Sequence, residues 1–262
     1  MQGQLPQRRV GTKVVAIVGA RRCTSYGEDI AYRLASELAR RGVIVVSGLA
    51  YGVDSCAHRG CLDAGGITVA VLGTAIDNIY PKAHYRLAER ILERGAILSE
   101  WPPSVETYNW CFAQRNRIIS GLADALVVVE AAARSGTQST AAAALEQGKD
   151  VYAVPGDITR PLSEGCNRLI RDGAQPLVSI DNFVQDFVGS ASSRQDSRAK
   201  MLADMAQSAQ DIVSAMTIGL QSTEEILKHC VNLSVAEFNQ QITLLELRGL
   251  VRSCGATSWV LL

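Results

Sequence analysis

Apolar runs and amphipathic stretches alternate along the first 187 residues. Val14–Val18 is a continuous apolar run closed by Gly19, the pattern of a strand buried on both faces. A helix is expected from Gly27 to Arg41, because Ile30, Leu34 and Leu38 fall four apart with Ala31, Ala35 and Ala39 beside them. Val43–Val46 reads as a second strand and Asp54–Ala64 as a second helix. Further strands are expected at Thr68–Leu72, Ala96–Leu98, Ala125–Val129 and Val151–Val154, with helices between them, notably Lys82–Glu93 and Thr137–Gln147. Strand and helix alternating in this way imply an α/β fold with a parallel sheet and right-handed crossovers.

The texture changes near Val188. Residues 188–204 are rich in Ser, Ala and Gln and read as a linker. Residues 205–262 read as a second, small domain. A helix is expected near Gln210–Met216, and Ser222 with Glu225 and Ser234 with Glu237 each fit the S-x-x-E capping box of a helix start. Val235, Phe238, Ile242 and Leu245 are expected to share one face of the last helix. Leu250–Arg252 and Ser258–Leu261, joined through Gly255, read as a hairpin. Three helices and a hairpin make a C-terminal winged-helix domain.

Composition narrows the class. A hydrophobic share of 47% supplies a core, and a charged share of 20% argues against disorder. Lys plus Arg and Asp plus Glu are 26 each, which excludes a histone-like polycation but not a local basic patch. No apolar run reaches the roughly 18 residues of a membrane-spanning helix, so none is expected. The opening MQGQLPQRRVGTK lacks the apolar stretch of a secretory signal, so none is expected there either. Seven widely spaced cysteines without a CxxC pair fit neither a disulfide framework nor a zinc ribbon, and point to a reducing cytoplasm.

Ligands of an open parallel sheet bind beyond the C-terminal strand ends. After the first strand stand Gly19, Arg21 and Arg22. An arginine occupies the place where a second glycine would admit a pyrophosphate, and the second strand ends at Ser47-Gly48 rather than an acid. A dinucleotide cofactor is therefore not expected, and no GxxxxGK[ST] phosphate loop occurs. Asp54 and His58 fall four apart near a helix start. They suit either an acid/base pair or, more simply, a local cap and a packed imidazole. Cys56 and His58 would point about 200° apart on a helix, so they cannot hold one metal ion. Lys82 precedes the third helix at the ligand edge.

The densest signal is WPPSVETYNWCFAQRNR. Trp101, Tyr108, Trp110 and Phe112 fall within twelve residues of a chain with 14 aromatics, and Arg115, Asn116 and Arg117 follow. Rings supply stacking surfaces for bases, and guanidinium groups pair with phosphates. The plainer reading is an aromatic loop sealing the sheet end, with the arginines in structural ion pairs. Ser135-Gly136-Thr137 opens a helix whose free N–H groups suit an anion. Glu100 and Glu130 each follow a strand, but the sequence does not pair them. No Ser-His-Asp order or paired-carboxylate constellation stands out.

The segments IVGARRCTSYG, SGLAYGVDSCAHRG, TVAVLGTAIDNIYPK, AILSEWPP, FAQRNRIISGLADALVVVEA, SGTQSTAAAALEQG and VYAVPG, in that order, closely resemble the DNA-processing protein A (DprA, or Smf) family over about residues 13–187. The tail resembles the winged-helix domain that many members carry. The resemblance implies an extended Rossmann-like fold that binds single-stranded DNA, protects it during natural transformation and helps load RecA recombinase past single-strand-binding protein, commonly as a homodimer. Carried over residue by residue, it implies contacts at Arg21, Ser47, Gly48, Lys82, Phe112, Arg115, Asn116 and Arg117. Members often have Arg where Tyr51 stands, which removes one charge here. They often carry a further N-terminal helical domain, so the resemblance implies a shortened member or a fragment.

Two other functions compete with this one. A nucleotide phosphoribohydrolase of the lysine-decarboxylase-like class would show PGGxGT followed by an acid, where this chain has ARSGTQST with Gln138 at that place. A winged-helix transcription factor would need a basic tail. From residue 203 onward six acids stand against three bases, a net of −3 that leaves +3 on the first 202 residues. If Arg21, Lys82, Arg115 and Arg117 each neutralise a phosphate of a single strand, log K against log salt should slope roughly −3. The expected helix Ser234–Arg248 offers only Arg248 as a base, so phosphate repels the tail at long range. A chain ended near Val188 should therefore keep most of its affinity for a single strand. A tenfold loss, about 1.4 kcal/mol, in a truncated chain still folded by circular dichroism would contradict this.

Overall fold

A computed structural model describes residues 1–6, 11–189, 205–230, 233–248, 250–255 and 258–261. The chain divides into two compact units, Met1–Gly189 and Ser190–Leu262.

The first unit is built on an eight-stranded sheet. Its strands are β1 (Gln2–Gly3), β2 (Val14–Val18), β3 (Ile44–Ser47), β4 (Thr68–Leu72), β5 (Ala96–Ser99), β6 (Ala125–Val128), β7 (Asp150–Ala153) and β8 (Gln175–Pro176). They lie in the order β1-β5-β4-β3-β2-β6-β7-β8. All neighbours are parallel except β1, which runs antiparallel to β5. The fold is thus mixed α/β with a large, mostly parallel sheet. The central strands are apolar on both faces because helices cover both, as parallel sheets require.

Alternate residues of each strand serve opposite cores. Val15 and Ile17 pack with α1 (Ser25–Arg40), α2 (Val53–Asp63) and Phe183, Val184 and Phe187 of helical residues 180–189 (α7). Val14, Ala16 and Val18 pack with α4 (Asn109–Leu122), α5 (Gly136–Glu146) and α6 (Pro161–Arg171). α3 (Tyr85–Leu92) closes a smaller core over β4 and β5. Where one helix was expected over Lys82–Glu93, a short 3-10 turn, Lys82–His84, precedes α3.

The hydrophobic pattern places helices between the strands but gives no bounds over residues 109–122, where the structure forms α4. Its buried positions are Cys111, Arg115, Ile119 and Ser120. The stripe has the helical spacing of four, but an arginine fills its centre, so no apolar period is visible. β1, β8, α6 and α7 are likewise beyond the pattern, the strands because they are two residues long. The expected linker, 188–204, begins inside helical residues 180–189 and otherwise lies outside the described residues.

The second unit has the order α8 (Gln207–Thr217), α9 (Thr223–His229), α10 (Val235–Leu247), β9 (Val251–Ser253), β10 (Trp259–Leu261). Both capping boxes form: Ser222 and Ser234 accept from the N–H groups of Glu225 and Glu237, whose carboxylates take the cap N–H groups in return. Phe238, Ile242 and Leu245 are buried, but Val235, on the first turn, is 60% exposed and lies outside the expected face. Among the described residues no helix is long and apolar enough to cross a membrane.

α1 and α2 approach each other at Gly60, where a Cβ would stand 2.2 Å from the Tyr32 carbonyl oxygen. The Ser36 hydroxyl donates to the Gly60 carbonyl at 2.9 Å across the same contact. Gly60→Ala should therefore force the helices apart and cost roughly 1–3 kcal/mol of stability. An unchanged denaturation midpoint would show that the contact yields without cost.

Candidate nucleic-acid interface

β2 has β3 on one side and β6 on the other, and the chain leaves these two neighbours toward opposite halves of the sheet. A crevice opens where such connections diverge. Its first wall is the turn after β2. The Ala20 N–H donates to the Glu130 carbonyl at 2.7 Å, and the Val53 N–H to the Ala20 carbonyl at 3.3 Å. The Glu130 carboxylate, 5% exposed, accepts the Thr24 N–H at 2.8 Å and the Thr24 hydroxyl at 2.6 Å. Gly52 sits at φ 72°, and a Cβ there would stand 2.3 Å from the Ala20 oxygen, so the turn needs glycine beside it. The turn is fixed at both ends, and its middle, Arg21 and Arg22, is exposed. The Arg21 guanidinium lies 5.5 Å from the Phe112 ring centroid, a cation–π contact.

The floor is organised by Arg115, 5% exposed. Its Nη1 donates to the Gly48 carbonyl at 2.8 Å and also to the Val71 carbonyl, and its Nε to Asn116 Oδ1 at 3.3 Å. A Cβ on Gly48 would stand 2.6 Å from the guanidinium. Asp54 supplies the countercharge, and its Oδ2 accepts from the N–H groups of Gly48 at 3.1 Å and Ala50 at 3.3 Å. Burial raises the Asp54 carboxyl above its ordinary value, with Arg115 and the Ala50 and Gly48 N–H groups pulling the other way. Burial lowers the guanidinium to about 10, still far above neutrality, so it keeps its charge.

The third wall is α5. Its cap residue Ser135 makes no side-chain capping bond, and its first turn contains no acid. Asn116 fixes this turn by donating from Nδ2 to the Gly136 carbonyl at 3.2 Å and the Ser139 hydroxyl at 3.0 Å.

These walls enclose a cavity of about 430 Å³. It brings together Gly19, Arg21, Phe112, Arg115, Asn116, Ser135, Gly136 and Thr137 from the sequence reading. A hollow of about 30 Å³ beside it adds Gly48 and shares Arg21, Phe112 and Arg115. Four expected residues line neither. The Ser47 hydroxyl turns into the sheet and donates to the Ile17 carbonyl at 2.6 Å. Arg117 pairs with Glu100, as the plainer reading of its guanidinium anticipated. Arg22 and Lys82 are exposed outside the cavity.

The residues missed are Asp54 as a wall of the cavity, Glu130 as the clamp of the turn, and Tyr80. Tyr80 lies 5.6 Å from Phe112 between ring centroids and is 49% exposed. Its signal was an aromatic beside Lys82 in the loop after β4. Trp101, Tyr108 and Trp110 form their own cluster off the cavity, with Tyr108 and Trp110 parallel at 6.3 Å. Asp54 and His58 are not an acid/base pair: the carboxylate caps the turn, and His58 Nδ1 bonds the Thr68 hydroxyl at 2.7 Å. No group of three or more His, Cys, Asp or Glu among the described residues could hold a metal ion.

A family model described as DNA recombination-mediator protein A matches residues 1–188. The chain belongs to this family, that of DNA processing protein A. It is 47% identical over 180 residues to the DNA processing protein DprA of Mycobacterium tuberculosis, covering 69% of this chain and 46% of the relative. It is 48% identical over 173 residues to protein Smf of Escherichia coli K12, covering 66% and 46%. The chain spans about half the length of these curated relatives. Among solved structures, DNA processing protein A of Streptococcus pneumoniae matches with a TM-score of 0.63 and 40% identity over 68% of this chain and 62% of that one. DNA processing protein A of Helicobacter pylori, solved for its single-stranded DNA binding mode, matches with a TM-score of 0.64 and 32% identity over 68% and 81%.

His58 offers a check on the buried floor. Burial first, then electrostatic interaction with His84 and Arg115, lowers its pKa from 6.5 to about 3. Below pH 6.5 the unfolded chain takes up a proton here that the folded chain refuses. Stability from this group is complete above that pH and is lost as pH falls toward 3, by up to ~1.4 kcal/mol per unit. The His58 ring resonances should stay unshifted between about pH 7.5 and pH 5. A midpoint near 6.5 would place the ring in contact with water.

Proposed function

We propose that this chain binds single-stranded DNA without a base code, protects it and helps load RecA recombinase onto it, as its family implies for transformation and recombination. The observation that carries the reading is the cavity in which Arg21 over Phe112 faces the uncapped start of α5. A cation on an aromatic face and free helix N–H groups suit phosphate and unstacked bases together. The binding mode described for the Helicobacter pylori relative supports the same reading.

The contacts divide by their surroundings. Arg21, Arg22 and Lys82 are the cations open to phosphate, and Phe112 with Tyr80 offers ring faces. Gly19, Ser135, Gly136 and Thr137 supply backbone and hydroxyl groups at the walls, and Arg117 joins if it leaves Glu100. Ser47, Gly48, Arg115 and Asn116 act through the shape of the floor. This is a site that holds, and catalysis has no part in the proposal.

The chain acts as a homodimer in the cytoplasm, meeting single-strand-binding protein on its DNA. Its sheet is an extended Rossmann-like one, residues 1–187, and the linker 188–204 leads to a winged-helix domain, 205–262. The order α8-α9-α10-β9-β10 supports that last assignment. The tail's net negative charge suits a protein contact better than DNA.

With Arg115 held by carbonyl groups and Arg117 paired with Glu100, the open cations are Arg21, Arg22 and Lys82, three in place of the four first counted. The salt slope for a single strand should be about −2 rather than −3. Arg21→Ala should weaken binding alike for all sequences and flatten the slope by about 0.7. A mobility-shift series at several salt concentrations reads both. Equal affinity for duplex DNA, or a response flat in salt, would refute the proposal.

A further inference from the structure

We propose that the first turn of α5 is a seat for a phosphate monoester: a phosphorylated strand end or a free nucleoside monophosphate. The proposal rests on the single-strand reading only for the first of these sources.

The turn presents donors that nothing in the protein uses. The N–H groups of Gly136 and Thr137 have no intrahelical acceptor by their position, and none elsewhere among the described residues. Thr137 and Thr140, 8% and 1% exposed, both line the cavity, and their hydroxyls have no hydrogen-bond partner among the described residues. Ser135 Oγ is buried and unpartnered as well. Leaving buried polar groups unsatisfied costs stability, so a convergent set of them marks a place where a ligand completes the bonding. A Cβ built on Gly136 meets nothing within 4 Å, so the space before the turn is open. Gln138 Nε2 also lacks a partner, but it lies beside Gly165, off the cavity wall.

The charge around the turn favours an anion. The helix dipole adds positive potential, and no acid in the first turn opposes it. Arg21 and Arg115 line the same cavity, and its one carboxylate, Asp54, is engaged by the N–H groups of Gly48 and Ala50.

The shape favours a terminal phosphate over one inside a strand. The cavity reaches down to Val18, Ile119 and Thr140, all at most 4% exposed. A diester continues in both directions and passes over such a recess, whereas a monoester enters it end-on. A monoester also brings three terminal oxygens and a charge near −2 to a turn with two N–H and three O–H donors, where a diester brings two oxygens and a single charge.

The full chain would be titrated with thymidine, thymidine 5′-monophosphate, and short dT oligonucleotides carrying a 5′-hydroxyl, a 5′-phosphate or a 3′-phosphate. In at least one comparison the phosphorylated form should bind tenfold or more tightly than its hydroxyl counterpart. A gain for the mononucleotide identifies the free nucleotide as a ligand, and a gain confined to oligonucleotides identifies the strand end. Thr140→Val should bring that ratio toward one, and Thr140→Ser, which keeps the hydroxyl, should retain it, both checked for folding by circular dichroism. Equal affinity of phosphorylated and hydroxyl forms in every comparison would overturn the proposal. So would a ratio unchanged in Thr140→Val. Failure of all oligonucleotides to bind, with a gain for the mononucleotide, would defeat the single-strand reading and leave this seat standing.

Discussion

A guanidinium buried beneath the C-terminal edge of the sheet ties the site together. Taking a charge out of water is costly, and the cost is offset only where carbonyls and a countercharge surround it. Arg115 meets that condition through the carbonyls of Gly48 and Val71, Asn116 Oδ1 and the Asp54 carboxylate. These groups come from the ends of β3 and β4, from α4 itself and from the start of α2. One side chain therefore joins elements that are far apart in sequence. Gly48 is small because any Cβ would strike the guanidinium.

The consequence for function is a division of labour. Arg115 and Asn116, neighbours on α4, both face inward, one to the floor and the other to the first turn of α5. Two of the exposed cations, Arg21 and Arg22, stand instead on the turn after β2, which Glu130 and Gly52 hold in place, and the third, Lys82, opens the 3-10 turn before α3. The rim is free to change partners while the floor is not. Such a rigid floor under adaptable cations is what a site for varied bases on a uniform phosphate backbone needs.

Much of this was legible in the sequence. The strands Val14–Val18 and Thr68–Leu72 were read with their observed bounds because unbroken apolar runs mark strands buried on both faces. The capping boxes were read because their geometry is local. α4 was hidden by its own central residue, since a buried arginine breaks the apolar period that announces a helix. The Thr24–Glu130 bond joins residues 106 apart, and no local pattern carries such a pairing. The arginine-rich segment was recognised as chemically dense. Which guanidinium faces inward depends on the helix phase, and neither the bounds nor the phase of this helix was visible.

The central claim is that Arg115 shapes the site without meeting the strand. Arg115→Gln tests it most directly, measured together for thermal stability and for the salt dependence of single-stranded DNA binding. A glutamine removes both the charge and the planar fork that reaches several acceptors. The account predicts a lower melting midpoint and weaker binding with an unchanged salt slope. A chain of undiminished stability whose slope flattened by about 0.7 would show that Arg115 neutralises a phosphate, and would contradict it.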